Sequence, residues 1–191
     1  MTHNDPPDTV LVVDDEEAYV DAYATWLGER YRVRTATSGE VALENLDFEV
    51  DVVLLDRRMP GLSGDEVLKQ IRDHGYDCRV AMITAVEPDF DIIGMGFDEY
   101  LVKPVSREDL FEIVETLLTR AELDARVQEC FSLVSKKTAL ESVMDRDQLE
   151  AADEYRRLQD RINQIETRMN DTLDDLIDRG KVAAAYYDIE S

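Results

Sequence analysis

Five polar side chains stand at or just after the end of a short apolar run, and together they could form a reactive site. Three of them are carboxylates, one is a hydroxyl and one is an ammonium. Any one alone is more simply explained as a turn, cap or solvated residue. Five in the same relation to successive runs are hard to explain by accident. They are Asp14, Asp15, Asp56, Thr84 and Lys103.

The three carboxylates decide which ligand such a site would take. Like charges held close together are unfavourable unless a cation joins them. Oxygen ligands in this number suit a hard octahedral ion, so we expect Mg²⁺ in preference to Ca²⁺. The hydroxyl of Thr84 would add a hydrogen-bond donor at the same place, and Lys103 would add a positive charge.

For these side chains to meet, the apolar runs must be strands of one parallel sheet. The runs are short and rich in β-branched residues, and helical patterns separate them, which indicates an α/β fold with helices on both faces. We predict a doubly wound, five-stranded parallel sheet in the flavodoxin-like order 2-1-3-4-5, whose ligand site lies beyond the carboxyl ends of the strands. The predicted strands are Val10–Val13, Tyr31–Ala36, Val50–Leu55, Arg79–Ile83 and Phe97–Val102.

Helix starts can be read between these strands. Ser38 is a candidate N-cap of the second helix. The fifth helix opens at Ser106 and has Glu108 and Asp109 in its first turn, which suits the helix dipole. The fourth helical pattern, Pro88–Ile93, is short and is followed by Gly94 and Gly96. We therefore expect the weakest helix of the fold at this fourth position.

The same polar residues lie in motifs that resemble the receiver domain of two-component response regulators. The resemblance covers roughly residues 8 to 120, with the spacing kept throughout. The motifs are the pair Asp14-Asp15, Asp56 with Met59-Pro60-Gly61 and Gly64 after it, Thr84-Ala85, and Lys103-Pro104.

This resemblance implies a role for each carboxylate. Asp56 would be the phosphoacceptor, taking a phosphoryl group from a sensor histidine kinase. Asp15, Asp56 and the backbone carbonyl of Arg58 would bind Mg²⁺, and Asp14 would act mostly through water. Arg57 and Arg58 depart from the family pattern, and we expect the Arg58 side chain at the mouth of the site.

The resemblance also implies a switch at the remaining positions. Lys103 and Thr84 would contact phosphoryl oxygens, and the small Ala85 would leave room for the group. The bond between Lys103 and Pro104 is usually cis in this family, which would aim the lysine into the site. Thr84 would move toward the added charge, and Tyr100 would swing from solvent into the vacated space. The surface affected would comprise the fourth helix, fifth strand and fifth helix.

The composition changes after residue 120, so we predict a receiver domain over 1–120 and a helical domain over 121–191. A helix is predicted from Asp147 to Arg179, with Gly180 ending it. Its apolar residues recur in steps of three and four, broken once at Thr172, which is typical of an antiparallel hairpin or of an intermolecular coiled coil. They are Ala151, Tyr155, Leu158, Ile162, Ile165, Met169 and Leu176.

The charge of the chain narrows the choice of partners. The sequence has 44 Asp and Glu against 21 Lys and Arg, a net charge of −23 spread along its length. This composition favours a cytoplasm with molar salt and disfavours bare DNA or an anionic membrane in dilute salt. There is no long apolar run or secretory signal, and Cys78 and Cys130 show neither metal nor disulfide spacing, so we expect a cytoplasmic protein.

The helical part decides the output and leaves two hypotheses open. A receiver followed by a small acidic helical segment resembles haloarchaeal regulators that end in a HalX-type domain. After residue 121 we find no helix-turn-helix and no basic recognition helix, so no known DNA-binding motif is predicted. We also find no second catalytic constellation, so we do not expect an enzyme. The chain could be a phosphorylation-gated transcription regulator that contacts DNA or the transcription machinery. It could instead be a protein-interaction module that dimerises or docks a partner without touching DNA.

Overall fold

The computed structural model describes residues 7–187, and the side chains of these residues except 175, 176 and 178–187. The chain divides into two compact units, Met1–Leu118 and Thr119–Ser191. The sequence placed the boundary two residues later, after residue 120. Each unit is described below by itself.

The first unit is built on a five-stranded parallel sheet. The strands run in the order β2-β1-β3-β4-β5, and this confirms the predicted order 2-1-3-4-5. Every neighbouring pair is parallel. The strands are β1 (Thr9–Val13), β2 (Arg32–Ala36), β3 (Val52–Leu55), β4 (Arg79–Thr84) and β5 (Glu99–Val102).

Helices cover both faces of the sheet, as a parallel sheet with apolar central strands requires. One face packs against α2 (Gly39–Asn45) and α3 (Gly64–Asp73). The other face packs against α1 (Glu17–Leu27) and the first turns of α4 (Arg107–Glu141). Residues of the central strand β3 alternate between the two faces, so all four are buried. This is why its sequence is continuously apolar.

Both helix starts that the sequence indicated are capped by serine. The hydroxyl of Ser38 accepts a hydrogen bond from the backbone N–H of Val41 at 3.3 Å, which confirms Ser38 as the N-cap of α2. Ser106 directly precedes α4 and exchanges bonds with Asp109, whose N–H donates to the serine hydroxyl at 3.1 Å. These caps satisfy backbone donors that would otherwise have no partner.

The fourth helix is reduced to one short 3-10 helix, Phe90–Gly94. None of its residues is buried, and Phe90 and Ile93 are 85% and 79% exposed. With so little apolar contact, nothing extends the turn into an α-helix. Here the sequence expectation of a weak helix agrees with the structure.

The second unit contains the rest of α4, then α5 (Arg146–Ala151) and α6 (Asp153–Tyr187). The prediction of one helix from Asp147 to Arg179 was wrong at both ends. The backbone is extended at Ala152, which separates α5 from α6, and α6 continues past Gly180. A capping box between Asp145 and Gln148 begins α5, and no proline or other strong signal marks the break after it.

The later part of α4 and α6 form an antiparallel hairpin. Arg161 of α6 pairs with Glu129 of α4 at 2.8 Å, and the hydroxyl of Tyr155 donates to Glu141 at 2.5 Å. From the predicted stripe, Tyr155, Ile162 and Ile165 are buried within the single chain, whereas the side chain of Leu176 lies outside the described residues. Of the two arrangements that the sequence left open, the structure shows the hairpin. In the described part of the chain, no helix combines the length and apolar character needed to cross a bilayer.

Candidate functional site

The topology brings four of the five polar strand-end residues to one edge of the sheet. Strands β1 and β3 pair with Val13 opposite Leu55, so Asp14 and Asp56 follow side by side. Strands β4 and β5 pair with Thr84 opposite Val102, so Lys103 follows next to Thr84. Asp14, Asp56 and Thr84 are buried, whereas Asp15 is exposed.

The ammonium of Lys103 lies between the two buried carboxylates. Its Nζ atom is 2.6 Å from Oδ2 of Asp14 and 3.1 Å from Oδ1 of Asp56. The Lys103 side chain is only 6% exposed, so water screens these contacts little. The shared positive charge offsets the repulsion that two neighbouring buried carboxylates would otherwise feel.

Burial and this shared charge act in opposite directions on the pKa values. Burial raises the pKa of Asp14 above its ordinary value, although its bond to Lys103 pulls in the other direction. Burial alone would lower the pKa of Lys103, but the hydrogen bonds to Asp14 and Asp56 outweigh it, and the pKa is raised. Lys103 is therefore held in its charged form.

The turn after Asp56 fixes the second oxygen of its carboxylate. The backbone N–H of Arg58 donates to Oδ2 of Asp56 at 2.7 Å. Gly64 closes this turn by donating its N–H to the carbonyl of Arg57 at 2.9 Å. A Cβ at position 64 would lie 2.1 Å from the Asp56 carbonyl oxygen, so the close approach requires glycine. Met59 is buried, Pro60 and the Arg58 side chain are exposed, and Gly61 has a positive φ of 76°.

The residues assigned to the switch surround the loop after β4. The Thr84 hydroxyl accepts a bond from the N–H of Val86 at 3.4 Å, and Ala85 is exposed. Tyr100 is half-buried, packs against Phe97, and donates its hydroxyl to the carbonyl of Val86 at 2.7 Å. Tyr100 thus contacts the loop that carries Thr84. The peptide bond between Lys103 and Pro104 is cis.

The expected set of metal ligands is not preassembled as a cluster. Among the described residues, no three carboxylate, thiol or imidazole groups lie together in a way that could hold a metal ion. The two buried carboxylates, Asp14 and Asp56, instead share the ammonium of Lys103. Their oxygens and the nearby backbone carbonyls are hard donors of the kind that suits Mg²⁺.

Two features of the site were missed by the sequence reasoning. The first is an aromatic wall: Nζ of Lys103 is 4.1 Å from the ring centroid of Tyr19 in α1. The second is the side chain of Arg57, which ion-pairs with Asp65 of α3 at 3.1 Å and with Asp91 of the 3-10 helix. The hydrogen bond to Asp91, and to a lesser extent the hydrogen bonds to Asp65, raise the pKa of Arg57. The sequence does not reveal these contacts, because Tyr19 and Arg57 each contact a residue far along the chain, Lys103 and Asp91 respectively.

Comparison with known protein families identifies both units. Residues 10–115 match the response regulator receiver domain. The chain belongs to this family. Receiver domains are generally signalling modules rather than enzymes. Residues 119–186 match the HalX domain, so the chain is a receiver followed by a HalX domain, as the resemblance implied.

Curated relatives agree with this assignment. A protein of Haloferax volcanii, provisionally named a transcriptional regulator, is 58% identical over 134 residues, which are 70% of this chain and 23% of that protein. The response regulator SaeR of Staphylococcus aureus is 35% identical over 124 residues, 63% of this chain and 52% of SaeR. The chain therefore spans about a quarter of the length of the Haloferax protein and about half of the length of SaeR.

Solved structures share the fold of the receiver. A CheY-like receiver domain from Methanospirillum hungatei has a TM-score of 0.56 at 27% identity, covering 61% of this chain and 97% of that one. The response regulator TrrA of Thermotoga maritima, solved in complex with Mg²⁺ and a beryllium fluoride, has a TM-score of 0.51 at 36% identity. The match covers 58% of this chain and 99% of TrrA.

Proposed function

We propose that this response regulator accepts a phosphoryl group on Asp56 from a sensor histidine kinase in the cytoplasm. One observation carries the proposal. Asp56 is a buried carboxylate at the end of a central strand, with the ammonium of Lys103 3.1 Å from one oxygen and a backbone N–H holding the other. A carboxylate placed in this way is a usable nucleophile toward a phosphoryl group already activated on its donor.

The transfer uses groups that are already at the sheet edge. An oxygen of Asp56 attacks phosphorus, and the bond from phosphorus to the imidazole nitrogen of the donor breaks, with the nitrogen keeping the electron pair. The charge of Lys103 then faces a phosphoryl oxygen, and the hydroxyl of Thr84 donates to another. The exposed Ala85 leaves the phosphoryl group unobstructed on that side.

Mg²⁺ is the cofactor of this proposal. Asp15, Asp56 and the backbone carbonyl of Arg58 would hold it, with Asp14 acting through water. When bound, the ion neutralises negative charge on the phosphoryl oxygens. Two buried carboxylates support the assignment, as does the TrrA complex with Mg²⁺ and beryllium fluoride.

The switch would act through Thr84 and Tyr100. The added charge on Asp56 draws the Thr84 hydroxyl, and Tyr100 follows because its own hydroxyl is bonded to Val86 of the same loop. The surface that changes comprises the 3-10 helix, β5 and the start of α4, where Phe90 and Ile93 are exposed. This surface or the helical unit would carry a homodimer contact.

We propose transcription regulation as the output, by contact with DNA or with the transcription machinery. The Haloferax relative supports this proposal. The second candidate is a protein-interaction or dimerisation module that does not touch DNA. The net charge of −23 favours the second candidate in dilute salt, because unscreened negative charge opposes approach to a polyanion.

The first experiment measures phosphorylation in molar KCl with acetyl phosphate and Mg²⁺, using a phosphate-affinity gel. We expect a shifted band in the wild type and none in Asp56→Ala or in the presence of EDTA. Asp73→Asn, a change at an exposed aspartate paired with Lys69, is the matched control and should still shift. An undiminished shift in Asp56→Ala would assign the phosphoryl group to another residue.

The second experiment separates the two outputs. The tagged protein is crosslinked to DNA in its native cells, and the wild type is compared genome-wide with Asp56→Ala. Discrete peaks that the variant loses support a gated transcription regulator. No peaks in either protein support the interaction module.

A further inference from the structure

The ring of Tyr19 lies against the lysine of the proposed phosphoacceptor site. Packing within its own helix does not explain this contact. Tyr19 lies in α1, and its ring centroid is 4.1 Å from the ammonium nitrogen of Lys103. The Tyr19 ring packs against Tyr23 at 5.8 Å, and Tyr23 packs against Trp26 at 5.9 Å. These three residues follow one face of the helix, so each ring is held by the next.

The ammonium of Lys103 is surrounded by these groups. Asp14 and Asp56 approach it at 2.6 and 3.1 Å, and the ring of Tyr19 approaches within cation–π distance. A lysine side chain has a flexible four-carbon stem and no fixed geometry of its own. Its direction therefore depends on what packs around the charged end.

We propose that Tyr19 is a positioning residue that holds the ammonium of Lys103 against the carboxylates, ready for the phosphoryl group that arrives on Asp56. The inference rests on the proposed function of Asp56 and Lys103. The simpler alternative is that Tyr19 only fills space, because it is also a partly buried member of the apolar cluster under α1. The two readings differ in whether the electron density of the ring matters.

The size of the expected effect follows from the burial of the lysine. A cation–π contact changes an equilibrium or rate by about twofold at an exposed site and by about thirtyfold when it is fully desolvated. Lys103 is nearly buried, so we expect Tyr19→Leu to slow phosphorylation by acetyl phosphate by about tenfold. Tyr19→Phe keeps a ring of similar electron density and should stay within about twofold of the wild type.

The decisive test is a series of ring-fluorinated phenylalanines placed at position 19. Fluorine withdraws electron density from the ring face while changing its shape little. We expect the logarithm of the phosphorylation rate to fall steadily from phenylalanine to the mono-, di- and trifluorinated rings. A flat series would overturn the proposal, because a residue that merely fills space would tolerate every member.

Tyr31→Leu is the matched control. Tyr31 is another partly buried tyrosine of the same cluster, but its ring packs against Phe111 rather than against the lysine. The Tyr31→Leu variant should be phosphorylated at the wild-type rate. A loss of rate equal to that of Tyr19→Leu would overturn the proposal. If the wild type itself takes no phosphoryl group, the proposed function fails first and separately.

Discussion

A single ammonium at the carboxyl edge of the sheet is shared by two carboxylates that would otherwise repel each other. Lys103 contacts both Asp14 and Asp56, and all three side chains are nearly buried. Removing one member of such a group leaves an uncompensated buried charge, which costs far more than an exposed ion pair is worth. Lys103 therefore supports the fold as well as the proposed chemistry.

We expect Lys103→Met to lower the free energy of unfolding by about 3 kcal/mol at about pH 7. The loss should shrink toward about pH 5, because burial raises the pKa of Asp14 and removing Lys103 removes contacts that lower it, so acid stabilises the folded variant more than the folded wild type. Urea denaturation at the two pH values measures both effects. Lys69→Met, at an exposed lysine paired with Asp73, should change stability little at either pH. A loss that grows on acidification would contradict this account.

The hydroxyl of Tyr23 is the opposite case, a buried polar group without a partner among the described residues. Leaving such a donor unsatisfied costs about 1–3 kcal/mol, so Tyr23→Phe should raise the free energy of unfolding by about 1 kcal/mol. Chemical denaturation of the two proteins near neutral pH measures the difference. A destabilised variant would show that the hydroxyl has a partner, such as an ordered water.

The same residue gives the chain an alkaline limit. Burial raises the pKa of Tyr23 to about 12, so the unfolded chain loses this proton at lower pH than the folded chain does. The titration of Tyr23 leaves the free energy of unfolding unchanged below about pH 10 and lowers it by about 2–3 kcal/mol toward about pH 12. Tyr23→Phe should remove that part of the loss in an alkaline denaturation series. Identical alkaline profiles would refute it.

At the residue scale, the sequence predicted the polar groups of the site but not the groups that hold them. Asp14, Asp56 and Lys103 could be found because parallel strands bring their carboxyl ends to one edge. Tyr19 could not be assigned, because a tyrosine in an amphipathic helix is equally typical of a core residue. Only the three-dimensional structure shows which distant side chain its ring faces.

At the scale of elements, the 3-10 helix is held by polar contacts rather than by a core. Arg57, the residue after the proposed phosphoacceptor, joins Asp65 at the start of α3 to Asp91 in the 3-10 helix. The Arg57 side chain is largely buried even though Asp91 is exposed. The arginine thus links the turn after Asp56 to the surface that the proposed switch would move.

We expect Asp91→Asn to speed amide hydrogen exchange in residues 85–94 by about two- to fivefold, the worth of a partly exposed ion pair. Exchange is followed by mass spectrometry on the unphosphorylated protein. Glu87→Gln removes the same charge from the same segment and has no described contact with Arg57, so it should leave exchange unchanged. Equal exchange rates in the two variants would show that Arg57 does not hold the 3-10 helix in place.

The elements were predicted unevenly, for a physical reason. The strands and the helices that cover them follow from apolar periodicity, which reports burial on a large core. The break at Ala152 and the continuation of α6 beyond Gly180 were missed. In a thin hairpin, only one stripe of each helix is buried, so capping and local turns decide the boundaries, and one glycine is too weak to end a long helix.

At the scale of the whole molecule, the net charge of −23 acts against the compact state. We expect the melting temperature to rise as KCl is raised from about 0.2 M to about 2 M, because the screening length shortens to a few ångströms. Differential scanning calorimetry measures this rise. Sucrose at matched osmolality is the control and should raise the melting temperature less. An equal rise in sucrose would assign the effect to solvent exclusion rather than to charge.

The tight turn closed by Gly64 has a consequence for any survey of tolerated mutations along this chain. A methyl group there would collide with the Asp56 carbonyl, so every substitution should be rejected, although glycine brings no reactive atom to the site. A map of fitness alone would rank Gly64 beside Asp56, and a residue required for packing would be mistaken for one required for the reaction. Measuring both the abundance and the signalling output of each variant would separate the two causes. Gly64 variants should be depleted from the cell, whereas Asp56 variants should remain abundant but give no signalling output.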